Sequence, residues 1–155
     1  MIKSIEGNFD HPEVNELLTK HFIELKAASP EGSAHVLDIT GLKTSSIKFW
    51  SLWQNNKLFG CGALKFLEEE HGEFKSIRIH DNYKNQGNGI KVINHLILEA
   101  KKLKIKRLSI ETGAGKFFEP ARKLFKKCDF VPCEPFAHYK KDINSIYLTK
   151  LINNG

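Results

Sequence analysis

The chain has 155 residues, of which 41% are hydrophobic and 27% are charged, and these values favour one soluble domain with a substantial core. No apolar run reaches the roughly 18 residues of a membrane-spanning helix, and the N-terminus lacks a signal-peptide core, so a cytoplasmic protein without a membrane partner is expected. The net charge of +6 favours an anionic partner, such as a nucleic acid, an acidic surface or a phosphorylated small molecule.

The first half of the chain contains one predicted helix and several predicted strands. Residues 12–28 carry apolar side chains at helical spacing and predict an amphipathic helix, which the sequence SPEGS then ends. Residues 35–42 are ambiguous. The stretches 47–54 and 58–69, separated by a short turn, predict a β-hairpin, and a further short strand is predicted over 73–79.

The second half alternates helices and strands. A long helix is predicted from Ile90 to Leu103, and residues 107–112 follow as a strand. Residues 117–128 predict a second helix, with a proline in its first turn. Two more strands, predicted at 129–136 and 144–152, close the chain.

Together these elements predict an α+β fold in which helices pack on a mixed, mostly antiparallel sheet of about six to seven strands. The strands at 73–79 and 107–112 flank one helix, so we expect them to be parallel neighbours. The sequence contains no repeat, low-complexity segment or interdomain linker. The whole chain, residues 1–155, is therefore expected to form a single domain.

The cysteines and histidines point to no metal chemistry. Cys61, Cys128 and Cys133 cannot all pair with one another, and we interpret them as reduced, packed thiols. The seven histidines show no metal-binding spacing, so no metal site is expected. The densest basic run, 100–107, falls at the end of a predicted helix, where cations complement the helix dipole, and we interpret it as a solvated helix end.

The sequence NYKNQGNG, residues 82–89, places two glycines just before the long helix. Asn-Gly is a common hairpin dipeptide, but a helical pattern follows Gly89 rather than a second strand. A linker is disfavoured too, because the segment between Ile79 and the helix is short. Glycines at a helix N-terminus leave the free N–H groups open to a phosphate, which the helix dipole also attracts. The stretch therefore predicts a phosphate or pyrophosphate cradle.

The spacing of the cradle lacks the GxxxxGK[ST] of a Walker loop and the GxGxxG of a dinucleotide fingerprint. Residues 84–89, Lys-Asn-Gln-Gly-Asn-Gly, instead resemble the Q/R-x-x-G-x-G/A signature of the GCN5-related N-acetyltransferases. The segment ARKLFKKCDFVPC, residues 121–133, is similar to the A-x-x-L-Y-x-x-x-G-F segment of that family. The resemblance covers about residues 57–151, and the run 111–139 looks closest to a bacterial branch of acetyltransferases whose substrate is unsettled.

The resemblance implies helices on both faces of the sheet and a V-shaped splay between two parallel strands that end near Ile79 and Thr112. Acetyl-CoA would bind in this splay as a co-substrate. Backbone groups of Ile77 and Ile79 would bond its pantetheine arm, and one of their N–H groups would polarise the thioester. Lys84, which replaces the usual Gln or Arg, and nearby backbone amides would hold the pyrophosphate. The predicted cofactor-binding residues are Ile77, Ile79, Lys84, Asn85, Gln86, Gly87, Asn88, Gly89, Ile90 and Phe118.

Two residues are predicted to be catalytic. Glu73 is the predicted general base, because it lies eleven positions before Lys84, at the offset where histone-acetylating relatives keep a glutamate base. The alternative is a solvated glutamate near a strand start. Phe125 stands where many members carry a tyrosine that protonates the departing thiolate, so this role cannot be transferred. Tyr139 is the predicted replacement, with a packing or surface role as the alternative.

The leading hypothesis is an acetyl-CoA-dependent N-acetyltransferase in which a primary amine attacks the thioester directly in a ternary complex. The expected acceptor is a small-molecule amine or an amino-acid-like compound, and Glu111 and Thr112 are predicted to line its pocket. A catalytically silent acyl-CoA-binding sensor is the main alternative, because Phe125 removes the usual acid. A nucleic-acid-binding module is disfavoured, since the basic run lacks interleaved aromatic residues. Many family members are dimers, so a homodimer is open to this chain.

Overall fold

The computed structural model describes residues 1–30 and 37–152, which contain seven strands, four α-helices and two short 3-10 turns. The strands are β1 Ile2–Glu6, β2 Ile47–Gln54, β3 Lys57–Phe66, β4 His71–Ile79, β5 Arg107–Gly113, β6 Val131–Pro132 and β7 Ser145–Leu151. The helices are α1 Pro12–Ala28, α2 Ile39–Leu42, α3 Asn88–Lys102 and α4 Glu119–Lys127, and the 3-10 turns are Asp81–Tyr83 and Lys116–Phe118.

All seven strands belong to one sheet, in the order β1-β2-β3-β4-β5-β7-β6. Every neighbouring pair is antiparallel except β4 and β5, which are parallel and flank α3. The predicted fold, a mixed and mostly antiparallel sheet with one parallel pair, is confirmed. The predicted break after α1 falls partly on residues 31–36, outside the described ranges.

One predicted strand is much shorter than expected. The sequence predicts a strand over 129–136, but β6 contains only Val131 and Pro132. Prolines at positions 132 and 135 lack the N–H group that a longer strand needs for its ladder of hydrogen bonds. The chain from residue 133 to 144 is consequently a long connection, and it carries Tyr139.

The hairpin of β2 and β3 forms where the sequence predicts it. Asn55 and Asn56 connect the two strands with φ angles of 53° and 62°. Asparagine tolerates this left-handed conformation better than most residues, and two such residues in succession match the twist of a tight hairpin.

Helices cover both faces of the sheet. On one face, Val14 and Leu18 of α1 pack in a cluster with Trp53 of β2. On the other face, Val92 and Leu96 of α3 belong to a second cluster that also contains side chains of α4. This arrangement follows from the helical spacing of apolar residues, and it places the parallel pair of strands between α1 and the two later helices.

The cysteines of the chain form no disulfide. All three cysteines are free, and Cys61 and Cys128 are buried, as expected for packed thiols. Burial raises the pKa of the Cys61 thiol to about 12, so this thiol stays protonated.

None of the helices within residues 1–30 and 37–152 has the length and apolar character needed to cross a bilayer.

Candidate active site

A cleft of about 740 Å³ opens where β4 and β5 separate. The two parallel strands pair at only three positions, from His71 with Arg107 to Glu73 with Ser109. Residues of both strands beyond this point line the cleft, together with the start of α3, part of α4 and one side of α1. Glu73 therefore stands at the apex of a V whose arms are the free ends of β4 and β5.

A β-bulge interrupts β4 just beyond the apex. Lys75 pairs with Ala63 and Arg78 pairs with Cys61, so two residues of β4, Ser76 and Ile77, lie opposite one residue of β3. Ser76 takes a φ of 55°, which is unusual for a residue other than glycine. The bulge disrupts the regular ladder where β4 lines the cleft, at the backbone predicted to contact the pantetheine arm.

The N-terminus of α3 opens on the cleft without a side-chain cap. Gly87 is the N-cap residue, has a φ of 79° and makes no side-chain hydrogen bond to the first turn. No heavy atom lies within 4 Å of the point where a Cβ on Gly87 would be. The first N–H groups of the helix therefore have no side-chain partner at the cap, which is the arrangement that binds phosphate groups.

Gly89 is required for a different reason from the one the sequence suggests. The sequence predicts that both glycines keep the approach of a phosphate open. A Cβ on Gly89, however, would lie 2.7 Å from Cδ2 of Leu124 in α4. Gly89 therefore allows α3 and α4 to pack closely, and the open approach depends on Gly87.

The polar side chains around the cradle mostly bond to the loop itself. Asn88 is buried and its Nδ2 donates to the carbonyl oxygen of Tyr83 at 2.9 Å. Gln86 is exposed, and its Nε2 donates to the carbonyl oxygen of Asn82 at 3.3 Å. Asn85 adopts a φ of 61° and lines the cleft. These contacts fix the shape of the loop, so an anion bound here would depend mainly on backbone N–H groups.

Lys84 supplies a positive charge beside the cradle. Its side chain is exposed and lines the cleft, and Nζ lies 2.9 Å from Oδ1 of Asp81. Asp81 also bonds Lys20 of α1 and lies 3.3 Å from Nη2 of Arg78. Hydrogen bonds from Lys20 and Lys84 hold the pKa of Asp81 well below its usual range, so this carboxylate stays charged.

The two predicted catalytic residues are in direct contact. Glu73 is only 2% exposed, and the hydroxyl of Tyr139 donates to its Oε2 at 2.5 Å. Nζ of Lys75 donates to the same Oε2 at 3.2 Å and to the Tyr139 hydroxyl at 3.0 Å. The alternative interpretation of Glu73 as a solvated residue is wrong, because its carboxylate is buried and bonded to two partners.

Lys75 is a residue that the sequence interpretation missed. It lies two positions after Glu73, and residues two apart on a strand share one face of the sheet. Its side chain is only 10% exposed and lines the cleft. A buried carboxylate requires such a partner, so a lysine at this spacing was the signal available in the sequence.

Aromatic packing holds Tyr139 in place although it belongs to a long connection. Its ring lies 5.2 Å from that of Phe136 and 5.7 Å from that of Tyr147, centroid to centroid. The Tyr147 hydroxyl donates to the carbonyl oxygen of Lys140 at 2.8 Å and ties the connection to β7. Burial, followed by the charge of Glu73, raises the pKa of Tyr139 far above its usual value, so its hydroxyl remains a donor.

The remaining predicted residues of the cleft are also brought together. Glu111 and Thr112 of β5 line it, and Glu111 accepts a hydrogen bond from Oγ of Ser145 at 2.7 Å. Phe118 is buried beside Gly113, where an added Cβ would lie 2.2 Å from its ring. Phe125 is buried and lines the cleft as well, so no hydroxyl is present at the usual position of the acid. The predicted roles of these side chains stay predictions.

The α1 side of the cleft contains two buried polar residues that the sequence interpretation did not single out. Arg78 is 7% exposed, and its Nη2 lies 3.0 Å from Oε1 of Glu24 and 3.3 Å from Oδ1 of Asp81. His21 of α1 is 5% exposed and lines the cleft. Burial, with the charges of Arg78 and Lys84, lowers the pKa of His21 to about 3, so this ring is neutral near pH 7.

We expect His21 to make the folded state less stable as the pH falls. An unfolded histidine has a pKa of about 6.5, so between that pH and about 3 the unfolded chain binds a proton that the folded chain does not. This group should lower the free energy of unfolding by about 2 kcal/mol between pH 8 and pH 5. Urea unfolding at both pH values, for the wild type and for His21→Leu, measures it.

His21→Leu has no titratable group at this position. The contributions of all other groups are the same in both proteins, so they cancel when the two losses of stability are compared. We expect the wild type to lose about 2 kcal/mol more than His21→Leu over this interval. Equal losses in the two proteins would contradict a neutral, buried His21.

The sequence and the fold of the chain have known counterparts. Residues 12–130 match the profile of the acetyltransferase (GNAT) family. The chain is 44% identical over 138 residues to YsnE of Bacillus subtilis (strain 168), an uncharacterized N-acetyltransferase, with 89% of this chain and 91% of that protein covered. It is 38% identical over 139 residues to YedL of Escherichia coli (strain K12), another uncharacterized N-acetyltransferase. This match covers 90% of this chain and 87% of that protein. A solved Bacillus subtilis acetyltransferase in complex with CoA shares the fold, with a TM-score of 0.71 at 17% identity, over 99% of this chain and 100% of that chain.

Proposed function

Because the chain belongs to the acetyltransferase (GNAT) family, we propose that it is an acetyl-CoA-dependent enzyme that transfers the acetyl group to a primary amine in a ternary complex. The observation that carries this proposal is the buried contact between Glu73, Lys75 and Tyr139 at the apex of the cleft. This contact would hold a proton acceptor and a proton donor where two parallel strands part, in a cleft that the uncapped N-terminus of α3 also lines.

The residues present fit acetyl-CoA. Its diphosphate would lie against the N–H groups at the start of α3, where Gly87 leaves the approach open and Lys84 adds a positive charge. The backbone of Ile77 and Ile79, which lines the cleft, would bond the pantetheine arm. When bound, acetyl-CoA supplies an activated acyl carbon on a thioester.

Glu73 would act as the base for the acceptor. An amine with a pKa near 10.4 is only about 0.04% neutral at pH 7, so such an acceptor must lose a proton before it can attack. A base has to lie within hydrogen-bond reach of that proton. Lys75 and Tyr139 would hold the Glu73 carboxylate in place, and the N–H group of Ile77, in the bulge, would polarise the thioester carbonyl.

Tyr139 would supply the proton for the departing thiolate, since Phe125 cannot. Besides burial, the charge of Glu73 contributes to the raised pKa of Tyr139, so the hydroxyl becomes a stronger acid once Glu73 has taken a proton from the amine. Its hydrogen bond to Glu73 gives a route by which the proton taken from the amine can replace the one that Tyr139 donates. One amine proton would then reach the thiol through Glu73 and Tyr139, and the second proton that an ammonium acceptor loses on becoming an amide would pass to solvent.

Two measurements test this function. Calorimetric titration should show binding of acetyl-CoA, and incubation with an amine panel should release free CoA thiol only when an acceptor is present. Binding without thiol release from any amine would support the silent acyl-CoA sensor, which the phenylalanine at position 125 favours. An absence of binding would refute both functions.

A further inference from the structure

Two buried nitrogen atoms on the α1 side of the cleft have no hydrogen-bond partner. They are Nδ1 of His21 and Nε of Arg78, and neither has an acceptor among residues 1–30 and 37–152. Leaving a buried polar group unpaired is costly, and proteins rarely do so without a functional reason. Both side chains are more than nine-tenths buried and both line the cleft. Two unpaired nitrogens on residues that line the same cleft indicate that an acceptor group is supplied by a ligand.

Among residues 1–30 and 37–152, the ion pairs around these atoms leave a surplus of one positive charge. A single network joins three cations to two carboxylates. Its members are Arg78, Lys20, Lys84, Glu24 and Asp81. The imidazole of His21 is close enough for the charges of Arg78 and Lys84 to lower its pKa, and it adds no charge of its own. The described part of this network therefore carries a net positive charge and favours an anionic ligand.

A carboxylate fits this site better than a phosphate does. A carboxylate carries one negative charge, which equals the surplus, whereas a phosphate monoester carries nearly two at neutral pH. One oxygen of the carboxylate can accept from Nε of Arg78, the guanidinium nitrogen that Glu24 and Asp81 leave unpaired. A neutral imidazole can donate a further hydrogen bond to the same group.

The site lies along the same strand as the proposed base. Glu73 pairs with Lys65 and Arg78 pairs with Cys61, so four residues of β3 separate their positions. This corresponds to about 13 Å along the strand, and both side chains line the cleft. One small molecule can therefore present an amine near Glu73 and an anionic group near Arg78.

We propose that Arg78 and His21 bind a carboxylate of the acceptor, so that the enzyme acetylates an amine that also carries a carboxylate group. This inference rests on the proposed acetyl transfer and adds the class of its acceptor. The carboxylate settles between Arg78 and His21, neutralises the network and fixes the direction from which the amine approaches the apex.

The experiment compares each amino acid with its own amide, because the amide has the same size and shape but no charge. The panel contains the common α-amino acids and ω-amino acids from β-alanine to 6-aminohexanoate, each beside its amide. For at least one pair, kcat/KM of the wild type should be about 100-fold higher for the carboxylate. In Arg78→Lys and in His21→Leu this ratio should fall at least tenfold.

The two substitutions are chosen to preserve the fold and to separate the possible outcomes. Arg78→Lys preserves the charge beside Glu24 and Asp81 but removes Nε, and His21→Leu removes the ring nitrogens at similar volume. Acetyl-CoA should bind both variants with a Kd within about threefold of the wild type. A wild type that binds acetyl-CoA but prefers no carboxylate in the panel overturns the inference and leaves the acetyltransferase proposal standing. A carboxylate preference that survives in both variants also overturns it, as does weakened acetyl-CoA binding that places the diphosphate at Arg78.

Discussion

Replacing Glu73 with glutamine is expected to lower kcat/KM by about 10²–10⁴-fold, the range typical of a lost general base. Glutamine has the shape of glutamate, so its amide oxygen can still accept hydrogen bonds from Lys75 and Tyr139. It cannot take the proton of an attacking ammonium group. The loss should therefore appear in turnover and leave acetyl-CoA binding unchanged. Steady-state kinetics with a lysine-like amine, beside calorimetry with acetyl-CoA, measures both quantities.

The pH dependence distinguishes a lost base from a damaged site. Below the pKa of the acceptor, the fraction of amine that is neutral in solution rises about tenfold for each pH unit, and this fraction needs no base from the enzyme. The deficit of Glu73→Gln should shrink accordingly between pH 7 and pH 9, and it should also be smaller for acceptors of lower pKa. A deficit that is constant across pH and across acceptors would show that Glu73 has only a structural role.

Glu111→Gln is the matched control for this variant. Both glutamates line the same cleft, but Glu111 lies on β5 and accepts a hydrogen bond from Ser145. As a predicted residue of the acceptor pocket it should affect KM more than kcat. Equal losses of kcat in the two variants would contradict the assignment of the base to Glu73.

The sequence predicts the arrangement of strands and helices well, because most elements carry their own periodic pattern. The parallel pair β4 and β5 follows from the long helix between them, and α1 begins and ends where its apolar spacing does. The end of the chain is harder to predict. Residues 129–136 have an apolar composition that favours a strand, and the prolines at 132 and 135 override it.

The site is predictable only where its parts lie close together in the sequence. The cradle is continuous, so its two glycines and the following helix identify it. The bond between Glu73 and Tyr139 joins residues 66 positions apart, and no local pattern encodes such a contact. His21 lies at a helical position that otherwise indicates core packing, so only the structure reveals its place beside Arg78 in the cleft.

Gly87→Asp should weaken acetyl-CoA binding roughly 100-fold relative to Gly87→Asn. Both side chains tolerate the left-handed conformation of Gly87, and no heavy atom within 4 Å obstructs an added Cβ. The two variants differ only in one negative charge beside the proposed diphosphate site. Two unit charges about 5 Å apart at a partly exposed site repel by roughly 3 kcal/mol, and each 1.4 kcal/mol is a factor of ten in Kd. Calorimetric Kd values for the two variants test the prediction.

Stability and binding should change in opposite directions in this comparison, because aspartate at a helix N-terminus favours the helix through its dipole. Gly87→Asp should therefore unfold at the same or higher urea concentration than Gly87→Asn while it binds acetyl-CoA more weakly. S-acetylpantetheine, which lacks the diphosphate, should bind the two variants equally. The difference in Kd should also narrow as salt is added, because the repulsion is electrostatic. Equal affinities of the two variants for acetyl-CoA at low salt would place the diphosphate away from α3, and the open backbone at Gly87 would then need another explanation.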